Sequence, residues 1–518
     1  MKYIKPYNKI GKGAYANIYK IDYQLADDKY EQRVVKKFKF FKKKCGIPVT
    51  MIKEVCNTKN MNYDGIIKYL KILMKDNEYA VVMKLFLGDM RKYMELVPFK
   101  KRIKHISIIT QKLCKILYIL KQNKVLHRDI KPCNILMNWT YRNIDPPDIC
   151  LSDFGISQKN IYDGDWKEND LNVYTIWYRA PEIICNDNEY EYGIYNEKAE
   201  IWALGITMFD YICFDNEFKK SVTLIGEKTV GNHIKILRKL VGDDNTNYYK
   251  NGPNKIIPKH EIYIRTIILQ KIGKENFKKI PKQYFNLLSK MLTINPDNRI
   301  SVEDALKHKA ISHHEFIPEY NYIPNLSSHE LSKYLRCQTK LITPSNKKKI
   351  LSWLINICCN FNQIQVSTYI IAVDIFDKIA QFINITQDDT VDDIINIIKM
   401  CMIPSLSLAI KFNEGKSFSL KLLTDELATE ETEILRSMPT DILVTTEIEI
   451  LKLIEYNIHN TKLYPLLNVA CNKFKKTENL YECLKELPAI YTSPETVSYE
   501  TVALVLQKHF DNDLVEIK

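Results

Sequence analysis

Several features are missing from this 518-residue chain, and each absence narrows its class. The 13 cysteines include no Cys-x-x-Cys pair, and the only adjacent two, Cys358 and Cys359, fall on an apolar helical face. A disulfide framework is therefore not expected, and the cysteines read as reduced core residues of a cytoplasmic or nuclear protein. No apolar run approaches the ~20 residues that a membrane span needs. The longest, Ile370 to Ile383, is broken by Asp374, Asp377 and Lys378. Met1 leads within ten residues into a strand-and-glycine pattern, so a secretory leader is not expected. The net charge of +13 comes from lysines spread along the chain rather than from one basic tract. No dedicated nucleic-acid site is expected. Short-period repeats and low-complexity tracts are absent too, and 46% hydrophobic with 26% charged residues is an ordinary globular balance.

The length exceeds what one core organises, so two or three domains are expected, and two suffice. Residues 1 to about 85 alternate short β-type runs (Tyr3 to Ile10, Asn17 to Tyr23, Gln32 to Phe38, Lys71 to Met74, Tyr79 to Met83) around one helical stretch. From Met90 to about Ile311 the period is helical. Ile106 to Leu120, for example, carries apolar residues at 106, 109, 113, 116, 117 and 120. Residues 316–327 contain Pro318 and Pro324 without periodicity, and Ser327 with Glu330 offers a capping box for a new helix. Beyond it nearly everything is helical, with Ile350, Trp353, Leu354, Ile357, Cys358 and Phe361 on one stripe.

Gly11-Lys12-Gly13 between two strand patterns suggests a loop whose backbone approaches phosphates, a weak signal alone. It gains weight from His127-Arg128-Asp129-Ile130-Lys131-Pro132-Cys133-Asn134, Asp153-Phe154-Gly155 and Ala180-Pro181-Glu182, which follow in order. This set resembles that of the protein kinases over residues 1 to about 312. Gly46-Ile47-Pro48-Val49-Thr50-Met51-Ile52-Lys53-Glu54 and Thr175-Ile176-Trp177-Tyr178-Arg179-Ala180-Pro181-Glu182 resemble the cyclin-dependent members.

The resemblance implies an α+β bilobal fold over residues 1–315 and a Ser/Thr kinase that uses ATP and Mg²⁺ on protein substrates. ATP would lie against Ile10, Gly11, Gly13 and Ile18, with Met83 as gatekeeper and Lys84, Leu85 and Phe86 as the hinge. Lys36 would hold the α- and β-phosphates, aimed by Glu54. Asp129 would take the substrate proton, Lys131 and Thr175 would complete the catalytic group, and Asn134 and Asp153 would bind Mg²⁺. Two departures stand out: Ala16 occupies the third glycine position, and Glu200 replaces a structural aspartate, a methylene longer and expected to loosen that anchor. Val173 and Arg179 retain a pocket for proline after the target residue, although Tyr174 replaces a small apolar residue there.

Further on, Ile350 to Leu354 with Ile371 to Lys378, then Leu408 to Glu414 and Thr446 to Leu451, resemble the cyclin box. An all-α cyclin-like domain over 328–518, joined by a 316–327 linker, is expected to act as an intramolecular partner. Lys411 and Glu447 would be its kinase-contacting pair. Lys347 and Ser352 depart from the box pattern, and Pro404 predicts a kink. A flexible connection of roughly 30 residues spans ~30 Å by square-root scaling. Tyr15, Arg128 and Asp170 are assigned regulatory positions: Asp170 aligns with the family's activating phosphothreonine, and of its three clasping arginines only Arg128 remains, the others being Lys53 and Gln158. Two alternatives stay open, a kinase-like scaffold and a kinase with an unrelated C-terminal docking module.

Overall fold

The computed structural model describes residues 3–24, 30–39, 46–59, 61, 63–75, 78–140, 146–159, 166–168, 175–184, 193–214, 259–312, 364, 366–380, 391–415 and 439–458. The 316–327 linker, the helical stripe from Ile350 to Phe361, Lys347, Ser352, Asp170, Val173 and Tyr174 lie outside them.

Five strands build the first lobe: β1 (Tyr3–Lys12), β2 (Ala16–Gln24), β3 (Tyr30–Phe38), β4 (Tyr69–Lys75) and β5 (Glu78–Lys84). They form an antiparallel sheet in the order β1-β2-β3-β5-β4. The pleat sends neighbouring residues to opposite faces. Thus Val35 joins Ile21, Tyr23, Ala80 and Val82 in an outer cluster, while Val34 and Met83 join the main core. Between β3 and β4 runs α1 (Val49–Thr58), which starts after Pro48. Met51 to Val55, Asn57 and Thr58 are all buried, so this helix is enclosed on nearly every side.

The second lobe is helical: α2 (Met90–Leu96), α3 (Phe99–Lys104), α4 (Ile106–Gln122), α5 (Pro181–Ile184), α6 (Glu197–Cys213), α7 (Lys259–Phe277, broken at Gly273), α8 (Lys282–Met291) and α9 (Val302–Lys307). In α4 the six apolar positions predicted from periodicity are all buried. Every residue of α6 from Ala199 to Cys213 is buried, the pattern of a central helix. Against these helices lie β6 (Gly88–Asp89), β8 (Ile135–Asn138) and β9 (Asp148–Leu151) in one small sheet, and β7 (Val125–Leu126) paired with β10 (Gln158–Lys159) in another. These short strands fix the two loops between them, residues 127–134 and 152–157.

Beyond residue 363, α10 (Val366–Ala380), α11 (Val391–Asn413) and α12 (Thr440–Leu453) pack together. The helix α11 is continuous from Val391 to Asn413 with Pro404, the position of the expected kink, inside it. Beside the proline Ser405 Oγ donates to the Cys401 carbonyl at 2.8 Å. Among the described cysteines Cys133 is exposed and Cys56 and Cys401 are half-buried, which corrects the expectation that all are core residues. No helix among the described residues is long and apolar enough to cross a membrane.

One buried ion pair ties the second lobe together. Arg299 is 1% exposed, and its guanidinium meets both Glu182 oxygens at 2.7 and 2.8 Å and three backbone carbonyls, lying over the Trp202 ring at 5.2 Å. Removing one partner strands the other charge, so Arg299→Ala should cost about 3–5 kcal/mol of stability. Denaturant unfolding of the full chain should show the loss. An unchanged midpoint would mean that the pair is structurally idle.

Candidate active site

The cleft between the lobes is lined by Tyr15, Lys36, Phe38, Thr50, Asp129, Lys131, Asp153, Gly155, Ile156 and Thr175. Lys36 enters it from β3, where it pairs in register with Ile18 and Val81. Its ammonium contacts the Glu54 carboxylate from α1 and Asp153 Oδ1 at 2.8 Å. Burial pulls the ammonium toward its neutral form, but Glu54 and Asp153 outweigh that effect and its pKa is raised. Burial likewise pushes the Glu54 carboxyl up to about 7 against the pull of Lys36. At Asp153 burial also favours the neutral acid, yet the Lys36 charge prevails and the pKa falls to about 2. Asp153 is thus a fixed anion at the mouth of the cleft.

Below it the 127–134 loop presents Asp129. Thr175 Oγ1 donates to Asp129 Oδ1 at 2.8 Å, and Lys131 Nζ reaches Thr175 Oγ1 at 2.8 Å and Asp129 Oδ2 at 2.7 Å. Asn134 Nδ2 donates to Asp129 Oδ2 and to the Asp129 carbonyl, both at 2.8 Å. With its nitrogen committed to Asp129, the Asn134 amide has its oxygen left as the atom that could face a cation. An amide oxygen and a carboxylate that is half exposed, as the Asp153 side chain is at 50%, form a hard-oxygen donor set that suits Mg²⁺ with phosphate and water completing the shell.

The loops are braced from behind. His127 packs edge-on against Phe154 with ring centroids 4.6 Å apart. Arg128 and Asp153 both hold left-handed backbone, φ 66° and 68°, a conformation rare for residues other than glycine and concentrated at functional sites. Glu200, expected to be a loosened anchor, is instead a two-pronged one: Oε2 accepts from the His127 N–H at 3.1 Å and Oε1 from the Arg128 N–H at 2.9 Å. The additional methylene has therefore not cost the loop either bond.

Toward the adenine side, Gly11 lies under Ile18 and Gly13 N–H closes the loop onto the Ala16 carbonyl at 2.8 Å. The loop is held from β3 as well, because Lys39 Nζ donates to the Gly13 and Ala14 carbonyls at 2.5 and 2.9 Å. Ile10 and Tyr15 are exposed, Ile18 half-buried and Met83 buried. Lys84 is exposed with its ammonium 5.7 Å from the Phe86 ring centre, and Leu85 and Phe86 stand past the end of β5. Val34 and Leu136, not singled out from sequence, belong to the same apolar cluster. A hydrophobic position within a strand carries no motif of its own.

Lys411 and Glu447 come together in the second half of the chain. They are 1% and 0% exposed and joined by two hydrogen bonds of 2.6 and 2.8 Å. Glu447 Oε2 also accepts the Ile47 N–H at 3.2 Å, just before α1. Gly46 has φ 67°, and a Cβ there would collide with the Glu447 carboxylate and come 2.9 Å from Lys411 Nζ. The Lys53 ammonium lies by the end of α11, 2.8 Å from where a Cβ on Gly415 would be, and Asp170, which it was expected to face, lies outside the described residues. Arg128 donates to Ile156 O at 2.7 Å and to Gln158 Oε1 at 2.6 Å.

Glu200→Gln leaves one of two buried N–H groups without an acceptor, which should cost about 1–3 kcal/mol. Glu200→Asp, though it restores the usual residue type, should also weaken the anchor, because a carboxylate on an arm one methylene shorter falls short of the two amides as they stand here. Exchange of the His127 and Arg128 amide protons should quicken in both variants, and an unaltered rate in both would rule out the two-pronged anchor.

Comparison with known proteins agrees with this geometry. The protein kinase domain family matches residues 4–311, and the cyclin N-terminal domain family matches residues 318–459. "Cyclin-dependent kinase 11" of Dictyostelium discoideum is 30% identical over 304 residues, which cover 58% of this chain and 77% of that protein. "Cyclin-dependent kinase 12" of Caenorhabditis elegans is 25% identical over 316 residues, 58% of this chain and 40% of that one. A family match over more than half of the chain, placed on the cleft residues just described, leads to one conclusion: the chain belongs to the cyclin-dependent protein kinases and carries a cyclin N-terminal domain on the same polypeptide.

Proposed function

We propose that this kinase transfers the ATP γ-phosphate to Ser or Thr of protein substrates, with proline favoured after the target residue, and that its own cyclin-like domain activates it. The observation that carries the reading is the bond from Ile47 N–H to Glu447. Through it the Lys411–Glu447 pair meets the start of α1, whose Glu54 reaches Lys36. Holding α1 inward is what an activating partner has to achieve, and a tethered partner does it at an effective concentration of the order of millimolar. Phosphoryl transfer is mostly positioning and charge neutralisation. Asp129 accepts the hydroxyl proton, Lys131 steadies the transferring group, Thr175 sets the Asp129 carboxylate, and Asn134 with Asp153 holds Mg²⁺, which neutralises the phosphates. The hinge Lys84–Phe86 binds adenine under Met83.

Independence from activating phosphorylation belongs to the same reading. Arg128 is 3% exposed and already bonded to Gln158 and Ile156, and Lys53 lies at the cyclin-like domain, so little of the phosphate clasp remains. The reduced cysteines among the described residues support a cytoplasmic or nuclear setting.

Full-length protein made without activating enzymes should phosphorylate Ser/Thr-Pro peptides unaided, and Asp129→Asn should abolish turnover. The double change Lys411→Ala, Glu447→Ala should lower kcat about a hundredfold or more, equivalent to ~3 kcal/mol of barrier. A phosphate-free wild-type chain that stays inert until a separate cyclin is added would refute activation in cis.

A further inference from the structure

Thr50, Glu54 and Asn57 stand at positions i, i+4 and i+7 of α1 and so share one face of the helix. The middle residue reaches Lys36. The outer two reach the turn that follows Asp153. A Cβ placed on Gly155 would come 3.3 Å from Thr50 Cβ, so the first turn of α1 rests on that glycine. At the other end the Asn57 amide donates to Ser157 Oγ at 2.8 Å, with Asn57 5% and Ser157 0% exposed. Ser157 in turn donates twice to the Phe154 carbonyl, from its hydroxyl at 2.6 Å and its N–H at 3.0 Å. Phe154 directly follows Asp153.

We infer that Asn57 and Ser157 form a buried polar latch that makes α1 and the Asp153 turn move as one unit, with Asn57 a positioning residue for the Mg²⁺ site. The inference rests on the reading of Asp153 as a Mg²⁺ ligand. Apolar contacts between a helix and a turn can slide, whereas a hydrogen bond in a dry interior is directional. Breaking it strands two buried polar groups. The Asn57 side-chain oxygen meets no hydrogen-bond partner among the described residues. A leucine there would bury no unmet acceptor, so asparagine is the poorer choice for stability and the better one for holding a register. Any displacement of α1 is therefore passed to Phe154, and from there to the neighbouring carboxylate.

The test uses the full chain with Asn57→Leu, Ser157→Ala and the double variant, reading ADP affinity with and without Mg²⁺, melting temperature, and amide exchange over residues 153–157 in the ligand-free protein. Expected in each variant are an unchanged metal-free ADP affinity, faster exchange over 153–157, and a roughly tenfold loss in the factor by which Mg²⁺ tightens ADP binding, a size normal for coupled contacts. Asn57→Leu should melt no lower than wild type, and the double variant should be no worse than either single one. A Mg²⁺ factor equal to that of wild type, or metal-free affinity and melting temperature falling together, would overturn the latch in favour of a merely structural contact. Failure of the parent reading looks different: the wild-type chain itself would then gain nothing from Mg²⁺, and the latch would fall with it.

Discussion

Glu54 is fully buried, and burial pushes its carboxyl up to about 7 even against the pull of Lys36, so its charge depends on that ammonium, which meets it across the cleft. A carboxylate in that position is tolerable only when paired, since an uncompensated buried charge costs several kcal/mol. The pair exists only with α1 inward, and the position of α1 is therefore the constraint on which the rest of the structure depends. Each neighbour of the helix bears on it: Glu447 at its start, Gly155 under its first turn, Ser157 at its far end and Gly415, at the end of α11, against its Lys53. The first and last of these belong to the cyclin-like half, so the catalytic geometry of one domain is completed by packing from the other.

What could be read from the sequence follows from how chemistry is distributed along a chain. Asp129, Asn134, Asp153 and Lys36 do jobs that few residue types can do at fixed spacings, so their motifs survive at low overall identity, and the structure gathers them within one cleft. Lys411 and Glu447 were legible through the segments that carry them, Leu408 to Glu414 and Thr446 to Leu451, which resemble the cyclin box. The Asn57–Ser157 bond was not, because two small polar residues 100 positions apart belong to no motif. Neither was the Arg299–Glu182 pair, whose partners are 117 residues apart.

Two expectations drawn from residue type without the local backbone were corrected by the structure. Glu200 was taken as a loosened aspartate, yet both of its oxygens accept N–H groups of the loop it holds. The cysteines were taken as core residues, yet Cys133 is exposed and Cys56 and Cys401 are half-buried.

The corner at Gly46 has a bearing on competition between partners. It is filled by Glu447 and Lys411 so closely that not even a methyl group would fit. A separate cyclin presenting an equivalent pair would first have to expel the resident one, and at micromolar concentration it faces a tethered rival present at roughly a thousandfold higher local concentration. Under the activation in cis proposed above, cyclin levels in the surroundings would have no purchase on this kinase, and its output would follow the amount of the polypeptide itself.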